Sequence, residues 1–426
     1  MQYPNLFHHS VFTIPVEGEN VLLYAPLTGY VMKSDREYAN RLEEASKNGT
    51  NNKKTAEQLE RMLNTELHGI KMYQVQNPEE YLLLYILPNY ICNFSCSYCF
   101  SAKGRSKKEL SKENLKTALE YFIDTNRIKE KKLFITFMGG GEPTMSWKLL
   151  RFGIEYAYTL AQAQNIEIKL EIVTNGSILS EEMLQTFIKH KVQLRISFEV
   201  LEDIQNKQRG KYNKVCKTID RLSEAGLYLE IRSMITPLNV RRMKEMVQTL
   251  ITRFPAINYY MFDPITDKHT FHNKQEAVSF YKEYEYHFIE ALNLAEQHQK
   301  QLKCATLRNL NSIVKRYCFG ELCLTPEGTF TICHRVSSPS DTYYNDCIYG
   351  KITEDGKVEF NNEKYQDIIN SDTVYNNPDC DTCFIKWNCG GGCMVQNKEY
   401  NDEIRSVICE STRDLSKSLL LRRLER

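Results

Sequence analysis

Near the amino terminus, apolar and polar positions alternate in short stretches; farther on they fall into a repeated rhythm of strand-like and helix-like segments. In "SVFTIPVEGENVLLYAPLTGYVMKSD", residues 10–35, the apolar positions are broken by Gly18 and Asn20, then by Pro26 and Gly29, which predicts three short strands in a meander. Asp35 stands where a helix cap belongs, ahead of a predicted helix through Arg41 to Lys47. After the polar stretch "NGTNNKKT", Ala56, Leu59, Met62, Leu63 and Leu67 share one face at helical spacing. These elements predict a small α+β recognition module over residues 1–78, poor in convergent polar groups.

From Tyr81 the pattern becomes strand, loop, helix, repeated. Six strands are expected: "YLLLYIL", "KLFITFMG", "IEIKLEIVT", "VQLRISFEV", "LYLEIRSMI" and "INYYMFDP". Helical patterns lie between them at 111–129, 146–164, 180–190, 212–225 and 239–253. Such alternation predicts parallel strands joined by right-handed crossovers, hence an α/β class with a partial (β/α)6 TIM-like barrel at 79–270. Ligands then belong at the carboxyl ends of the strands. A helical bridge is expected at 271–316, a loop-rich region at 317–410 and a helix at 411–426. In the loop-rich region "CLTPEGTFTIC" reads as a hairpin turning at Pro326 to Thr329.

A chain of 426 residues, 42% hydrophobic and 26% charged, has the composition of an ordinary globular protein. Its formal charge of +1 argues against a nucleic-acid partner drawn by bulk electrostatics, and Lys103, Arg105, Lys107 and Lys108 read as a solvated face. No apolar run reaches the ~18 residues of a membrane span, and no signal-peptide pattern opens the chain. The expected address is the cytoplasm, with no membrane partner.

Cysteine changes the picture. There are 14, and without an export signal metal or cluster ligation is the first explanation. "YICNFSCSYCFS" places Cys92, Cys96 and Cys99 at C-x3-C-x2-C spacing, directly after the first barrel strand and with no histidine nearby. Structural zinc normally takes four ligands, whereas three thiolates on a cubane leave one iron corner open. Nine more cysteines lie between Cys318 and Cys409, where a loop-rich stretch with little apolar core needs ligation to hold it. Cys216 stands alone and reads as a small core residue.

"CNFSCSYCF" resembles the signature of the radical S-adenosylmethionine enzymes, including the aromatic Tyr98. The resemblance implies that Cys92, Cys96 and Cys99 hold a 4Fe-4S cluster whose open iron is chelated by S-adenosylmethionine. It also implies that a 5'-deoxyadenosyl radical is formed there and abstracts hydrogen. In "FITFMGGGEPT", the residues Gly140, Gly141 and Glu142 match the family's glycines and acid beside the methionine ammonium. "IVTNGSIL" carries Thr174, Asn175 and Gly176, similar to the family's turn after the third strand. "RISFEVLEDIQNKQRG" aligns with a stretch that supplies a serine to the ribose and an arginine to the carboxylate, nominating Ser197 and Arg209. Relatives usually have Asp-Gly where this chain has Glu199 and Val200.

The later cysteines resemble, position by position, the seven-cysteine SPASM extension of the same family: Cys318, Gly328 and Cys333, then Cys380, Cys383, Cys389 and Cys393, then Cys409. That implies two auxiliary 4Fe-4S clusters, for three in all. The distal one would use Cys380, Cys383, Cys389 and Cys409, and the proximal one Cys318, Cys333 and Cys393. Cys347 or Cys304 is available as a fourth proximal ligand, and an open coordination site is equally compatible. Counting around the turn pairs Cys323 with Ile332, which would point its thiol away from the face of Cys333.

"ENVLLYAPLTGYVMKSDREYANRLEE" is similar to the start of ribosomal-peptide maturases, whose winged-helix-like module takes up a leader peptide as an added strand. The expected function is therefore a radical S-adenosylmethionine maturase. It would abstract hydrogen from a leader-guided precursor peptide, form a thioether or other crosslink, and draw electrons from a donor such as flavodoxin or ferredoxin. Two alternatives stand beside it. An anaerobic sulfatase maturase would convert a protein Cys or Ser to formylglycine, but that branch has its first cluster motif near the amino terminus and an aspartate where His334 stands. A non-catalytic iron–sulfur or zinc scaffold that binds peptide is the other.

Overall fold

The structure, a computed structural model, describes residues 11–16, 18, 20–64, 71–72 and 75–425. Ser10 and Leu67, used in the predictions above, lie outside the described residues.

The predicted meander is present as β1 (Phe12–Pro15), β2 (Asn20–Ala25) and β3 (Tyr30–Asp35), antiparallel in the order β1-β2-β3. Helices α1 (Arg36–Asn48) and α2 (Lys53–Asn64) follow. The side chain of Asp35 caps α1, accepting a hydrogen bond from the Tyr38 N–H at 2.7 Å. The "NVLLYA" strand is apolar on both faces because both are covered. Val21, Leu23 and Ala25 pack on Ala39, Leu42, Leu59 and Met62, while Leu22 and Tyr24 pack on Leu420 near the carboxyl terminus. A short β4 (Lys71–Met72) leads toward the barrel.

The barrel comprises β5 (Leu83–Ile86), α3 (Lys112–Phe122), β6 (Lys132–Phe137), α4 (Trp147–Ala163), β7 (Glu167–Thr174) and α5 (Glu181–Lys189). It continues with β8 (Gln193–Ser197), α6 (Glu202–Gln208), α7 (Tyr212–Glu224), β9 (Leu229–Ile235), α8 (Met243–Arg253) and β10 (Tyr259–Pro264). All six strands pair in parallel, as their alternation with helices requires. In β7 the side chains of Ile168, Leu170 and Ile172 are buried, whereas Lys169, Glu171 and Val173 on the opposite face are not. That second face is polar. Arg195 on β8 lies 2.9 Å from both Glu171 and Glu230 on the neighbouring strands. Helix α6 was not foreseen, and α3, eleven residues long, ends at Phe122 rather than running to 129.

After α9 (Lys274–Gln297) the expected helical bridge breaks up. It becomes β11 (Gln301–Lys303), α10 (Ala305–Asn309) and β12 (Ser312–Ile313). β11 adds a seventh parallel strand beside β10. The cysteine-rich region holds β13 (Leu322–Leu324), β14 (Thr329–Thr331), α11 (Tyr344–Cys347), β15 (Ile348–Ile352), β16 (Val358–Phe360) and α12 (Asn362–Ser371). α13 (Lys386–Cys389), α14 (Met394–Glu399) and α15 (Asp402–Leu424) complete it. The final helix begins well before 411, so Cys409 sits within it.

Two further findings depart from expectation. β13 pairs in parallel with β5, so the hairpin extends the barrel sheet into a single 11-stranded sheet. Within that hairpin Cys323 pairs with Thr331, not Ile332. The one-residue shift reverses the predicted facing, since side chains alternate with period two: Cys323 falls on the face of Thr331, and Cys333, just beyond the end of β14, is among its charged neighbours. Among the described residues, no helix is long and apolar enough to cross a membrane.

The amino-terminal module is joined to the cysteine-rich region by a buried hydrogen bond, from the Tyr24 hydroxyl to Asn388 Oδ1 at 2.8 Å. Tyr24→Phe leaves that acceptor buried and unpaired, at an expected cost of about 1–2 kcal/mol. The urea midpoint of the module, followed by fluorescence, should fall; an unchanged midpoint would contradict the assigned contact.

Candidate active site

The loop between β5 and α3 carries Cys92, Cys96 and Cys99 at the carboxyl end of β5, all three half-buried. Polar bonds from several directions shape it. The Ser97 N–H donates to the Gln208 carbonyl at 3.0 Å, and Lys211 Nζ donates to the Asn93 carbonyl at 3.0 Å. The Asn175 amide donates to Asn93 Oδ1 at 3.0 Å and lies 3.9 Å from Cys92 Sγ. Arg105 bonds the Phe94 carbonyl at 2.7 Å and Cys99 Sγ at 3.3 Å. This corrects the reading of Arg105 as solvated: two of the three thiols meet a donor, the usual company of thiolates.

The glycine run after β6 lies against the start of this loop. A Cβ on Gly141 would come within 2.1 Å of the Ile91 carbonyl oxygen, and one on Gly140 within 2.8 Å of that of Asn89. Beside them the Glu142 N–H donates to the Ile91 carbonyl at 2.7 Å. Glu142 is 2% exposed. Its Oε1 accepts from the Thr144 N–H, the Thr144 hydroxyl and the Thr174 hydroxyl, and its Oε2 accepts from the Asn175 N–H. Four bonds make Glu142 the tie between the ends of β6 and β7, with acceptor capacity left on Oε2 alone.

Across the loop, Tyr98, Glu199 and Arg209 form a buried group. The Tyr98 hydroxyl donates to Glu199 and accepts from Arg209 Nη1, the latter at 2.9 Å. The two charges stand 3.9 Å apart. Burial pushes the Glu199 carboxyl up to about 7, against the lowering pull of Arg209 and of its hydrogen bonds. Burial opposes the charge of Arg209, but Tyr98, Cys96 and Glu199 outweigh it and hold its pKa above the usual range. Ser197 ends β8, in register with Arg232. Val200 takes a left-handed φ of 66°, a conformation that favours glycine.

The later cysteines fall into two electrostatic neighbourhoods. Burial raises the Cys389 thiol to about 12, followed by the influence of Cys383, Cys409 and Cys380. Burial also dominates at Cys333, followed by Glu321, Cys318 and Cys393. Cys347 has Lys398, Asp346, Arg316 and Lys364 as its strongest charged neighbours, and Cys304 caps α10 beside Tyr284 and Asp263. Neither has another cysteine among these neighbours, whereas Cys323 has Cys333. Cys216 is buried in the barrel core. Among the described residues no three His, Cys, Asp or Glu side chains group tightly enough for one bare ion; ligands of a cubane sit on separate irons and have no need to. Both sets are made of thiols alone, the donor type that iron–sulfur clusters take.

The sequence did not mark out His334 and Glu321 as a pair. The His334 N–H donates to Glu321 Oε2 at 2.6 Å, and its Nδ1 lies 2.7 Å from Oε1. The imidazole meets Phe100 at 5.9 Å and Tyr85 at 6.2 Å between ring centres, so the residue after Cys99 touches the residue after Cys333.

Residues 86–250 match the Radical SAM superfamily. The chain carries a radical SAM domain. It is accordingly an enzyme, in a superfamily that uses a 4Fe-4S cluster and S-adenosylmethionine. The GTP 3',8-cyclase of Helicobacter pylori is 25% identical over 292 residues, 66% of this chain and 82% of that protein. The radical SAM cyclopropyl synthase TigE of Paramaledivibacter caminithermalis is 21% identical over 182 residues, 39% of this chain and only 38% of its own length. Among solved structures, anSMEcpe with bound AdoMet superposes with a TM-score of 0.64 at 15% identity, covering 80% of this chain and 98% of that one. Streptococcus suis SuiB bound to precursor peptide SuiA gives 0.51 at 13% identity, covering 93% and 97%. At these identities the structural likeness concerns the fold.

Gly141→Ala forces the cysteine loop, at Ile91, away from the glycine run. The expected result is loss of about four iron atoms per chain. Iron analysis of the anaerobically purified variant checks it; full iron content would contradict the close approach.

Proposed function

We propose that the protein is a radical SAM peptide maturase that modifies a precursor peptide held between the first cysteine loop and the cysteine-rich hairpin. The observation that carries this reading is the contact between Phe100 and His334. It brings the first cysteine loop against the segment that leaves Cys333, so a peptide bound beside this contact would lie near both.

Cys92, Cys96 and Cys99 would hold the first 4Fe-4S cluster, with Tyr98, Gly140, Gly141, Glu142, Ser197 and Arg209 around S-adenosylmethionine. When bound, that pair supplies a 5'-deoxyadenosyl radical able to take a hydrogen atom from the substrate. The chain's part is to orient and to enclose. Arg209 offers positive charge to a carboxylate, Oε2 of Glu142 offers an acceptor to an ammonium, and Gly140 and Gly141 allow close backbone approach. Cys318, Cys333 and Cys393 would hold the proximal auxiliary cluster, with Cys323 now better placed than Cys347 or Cys304 to join them. Cys380, Cys383, Cys389 and Cys409 would hold the distal one.

The leader would add to the outer edge of β3, which has no strand partner among the described residues. The SuiB match, which extends over 93% of this chain against 80% for anSMEcpe, supports a maturase that includes the amino-terminal module. The product would be a thioether or other crosslink, with electrons from flavodoxin or ferredoxin.

Anaerobic incubation with S-adenosylmethionine and dithionite should yield 5'-deoxyadenosine, and the reconstituted chain should hold about 12 iron atoms. A short peptide encoded beside the gene should lose two hydrogens in mass. Deoxyadenosine without any change in such a peptide would favour a formylglycine-forming substrate, and no deoxyadenosine at all would leave the scaffold reading.

A further inference from the structure

Around Arg209 the structure leaves polar atoms that no protein group satisfies. Its Nε is buried without a partner, as are Nε2 and Oε1 of the preceding Gln208. A guanidinium this deeply buried would ordinarily be taken up, edge-on, by a nearby carboxylate. Glu199 is such a carboxylate, fully buried, yet it stands 3.9 Å off with the Tyr98 hydroxyl between them.

Glu199 is itself fixed on every side. Its Oε2 accepts the Met234 N–H at 3.1 Å. Its backbone N–H donates to Gln205 Oε1 at 2.9 Å, and Gln205 Nε2 donates to the Gly210 carbonyl at 2.9 Å, just beyond Arg209. The left-handed turn at Val200, whose side chain is fully buried, sets the direction in which the chain leaves Glu199. The carboxylate is thus bound to a rigid strand end, the tyrosine to the carboxylate, and the guanidinium to the tyrosine.

We propose that Glu199, acting through the Tyr98 hydroxyl, is a positioning residue that fixes Arg209 beside Cys96 and leaves its Nε edge for the carboxylate of S-adenosylmethionine. The inference rests on the reading that Arg209 meets that carboxylate. A direct Glu199–Arg209 pair would consume the same edge; the interposed hydroxyl restrains the guanidinium at one Nη and keeps the other donors available.

The test is the Kd for S-adenosylmethionine, measured by equilibrium dialysis on reconstituted wild-type protein, Tyr98→Phe, Glu199→Ala and the double variant, each with its iron content. Each single change is expected to raise Kd about tenfold, and the double no more than the larger single, because both act on one restraint. Glu199→Gln, which keeps an acceptor for the tyrosine, should recover most of the loss. Should Glu199→Ala fail to retain iron, Tyr98→Phe, which keeps the ring, decides alone. Unchanged Kd at full iron content, or effects that multiply in the double variant, would overturn the proposal. Failure of the wild-type protein to bind the ligand would instead contradict the function proposed above.

Discussion

The site depends on how the long loop that carries the first three cysteines is held in one shape. Leu87, Tyr90, Phe94 and Leu110 anchor its ends and middle in the core, and the stretch that carries the cysteines is held by polar bonds: Gln208 to Ser97, Asn175 and Lys211 to Asn93, and, from within the loop, Arg105 to Phe94 and Cys99. Glu142 ties two of those strand ends to one another. In a low-dielectric setting such a network is rigid when every member is satisfied. The exceptions are Nε of Arg105 and of Arg209 and the side-chain amide of Gln208.

Sheet continuity extends the same constraint to the carboxyl-terminal region. Because β13 pairs with β5, the strand that launches the first cysteine loop also positions the hairpin of Cys333. The two cysteine sets are therefore registered by backbone hydrogen bonds and not by loops alone. The carboxyl-terminal helix then returns to the amino-terminal sheet through Leu420, so a module that would receive a leader is packed against the body that would perform the chemistry.

Much of this was legible in the residues. The strand and helix rhythm gave the barrel, Asp35 gave the start of α1, and cysteine spacing gave the sites to examine. What was missed followed from long-range pairing. β13 carries only three residues, so no local pattern announces that it joins β5, and a hairpin register counted from the turn slipped by one at Cys323. Arg105 looked solvated because its neighbours Lys103, Lys107 and Lys108 are basic, and only the folded loop brings it onto Cys99. The buried partnership of Glu199 with Tyr98 joins positions a hundred residues apart and left no periodic signal, although the departure from Asp-Gly marked the place.

The central claim is that three thiolates at the mouth of the barrel leave one iron available to a small-molecule ligand. Electron paramagnetic resonance of the dithionite-reduced protein, with Cys333 and Cys389 of the proposed auxiliary clusters replaced by alanine to simplify the spectrum, tests it most directly. Addition of S-adenosylmethionine should shift the g-values of the remaining reduced cluster. A cubane signal that ignores the ligand, or zinc bound at that position with no signal, would contradict the account.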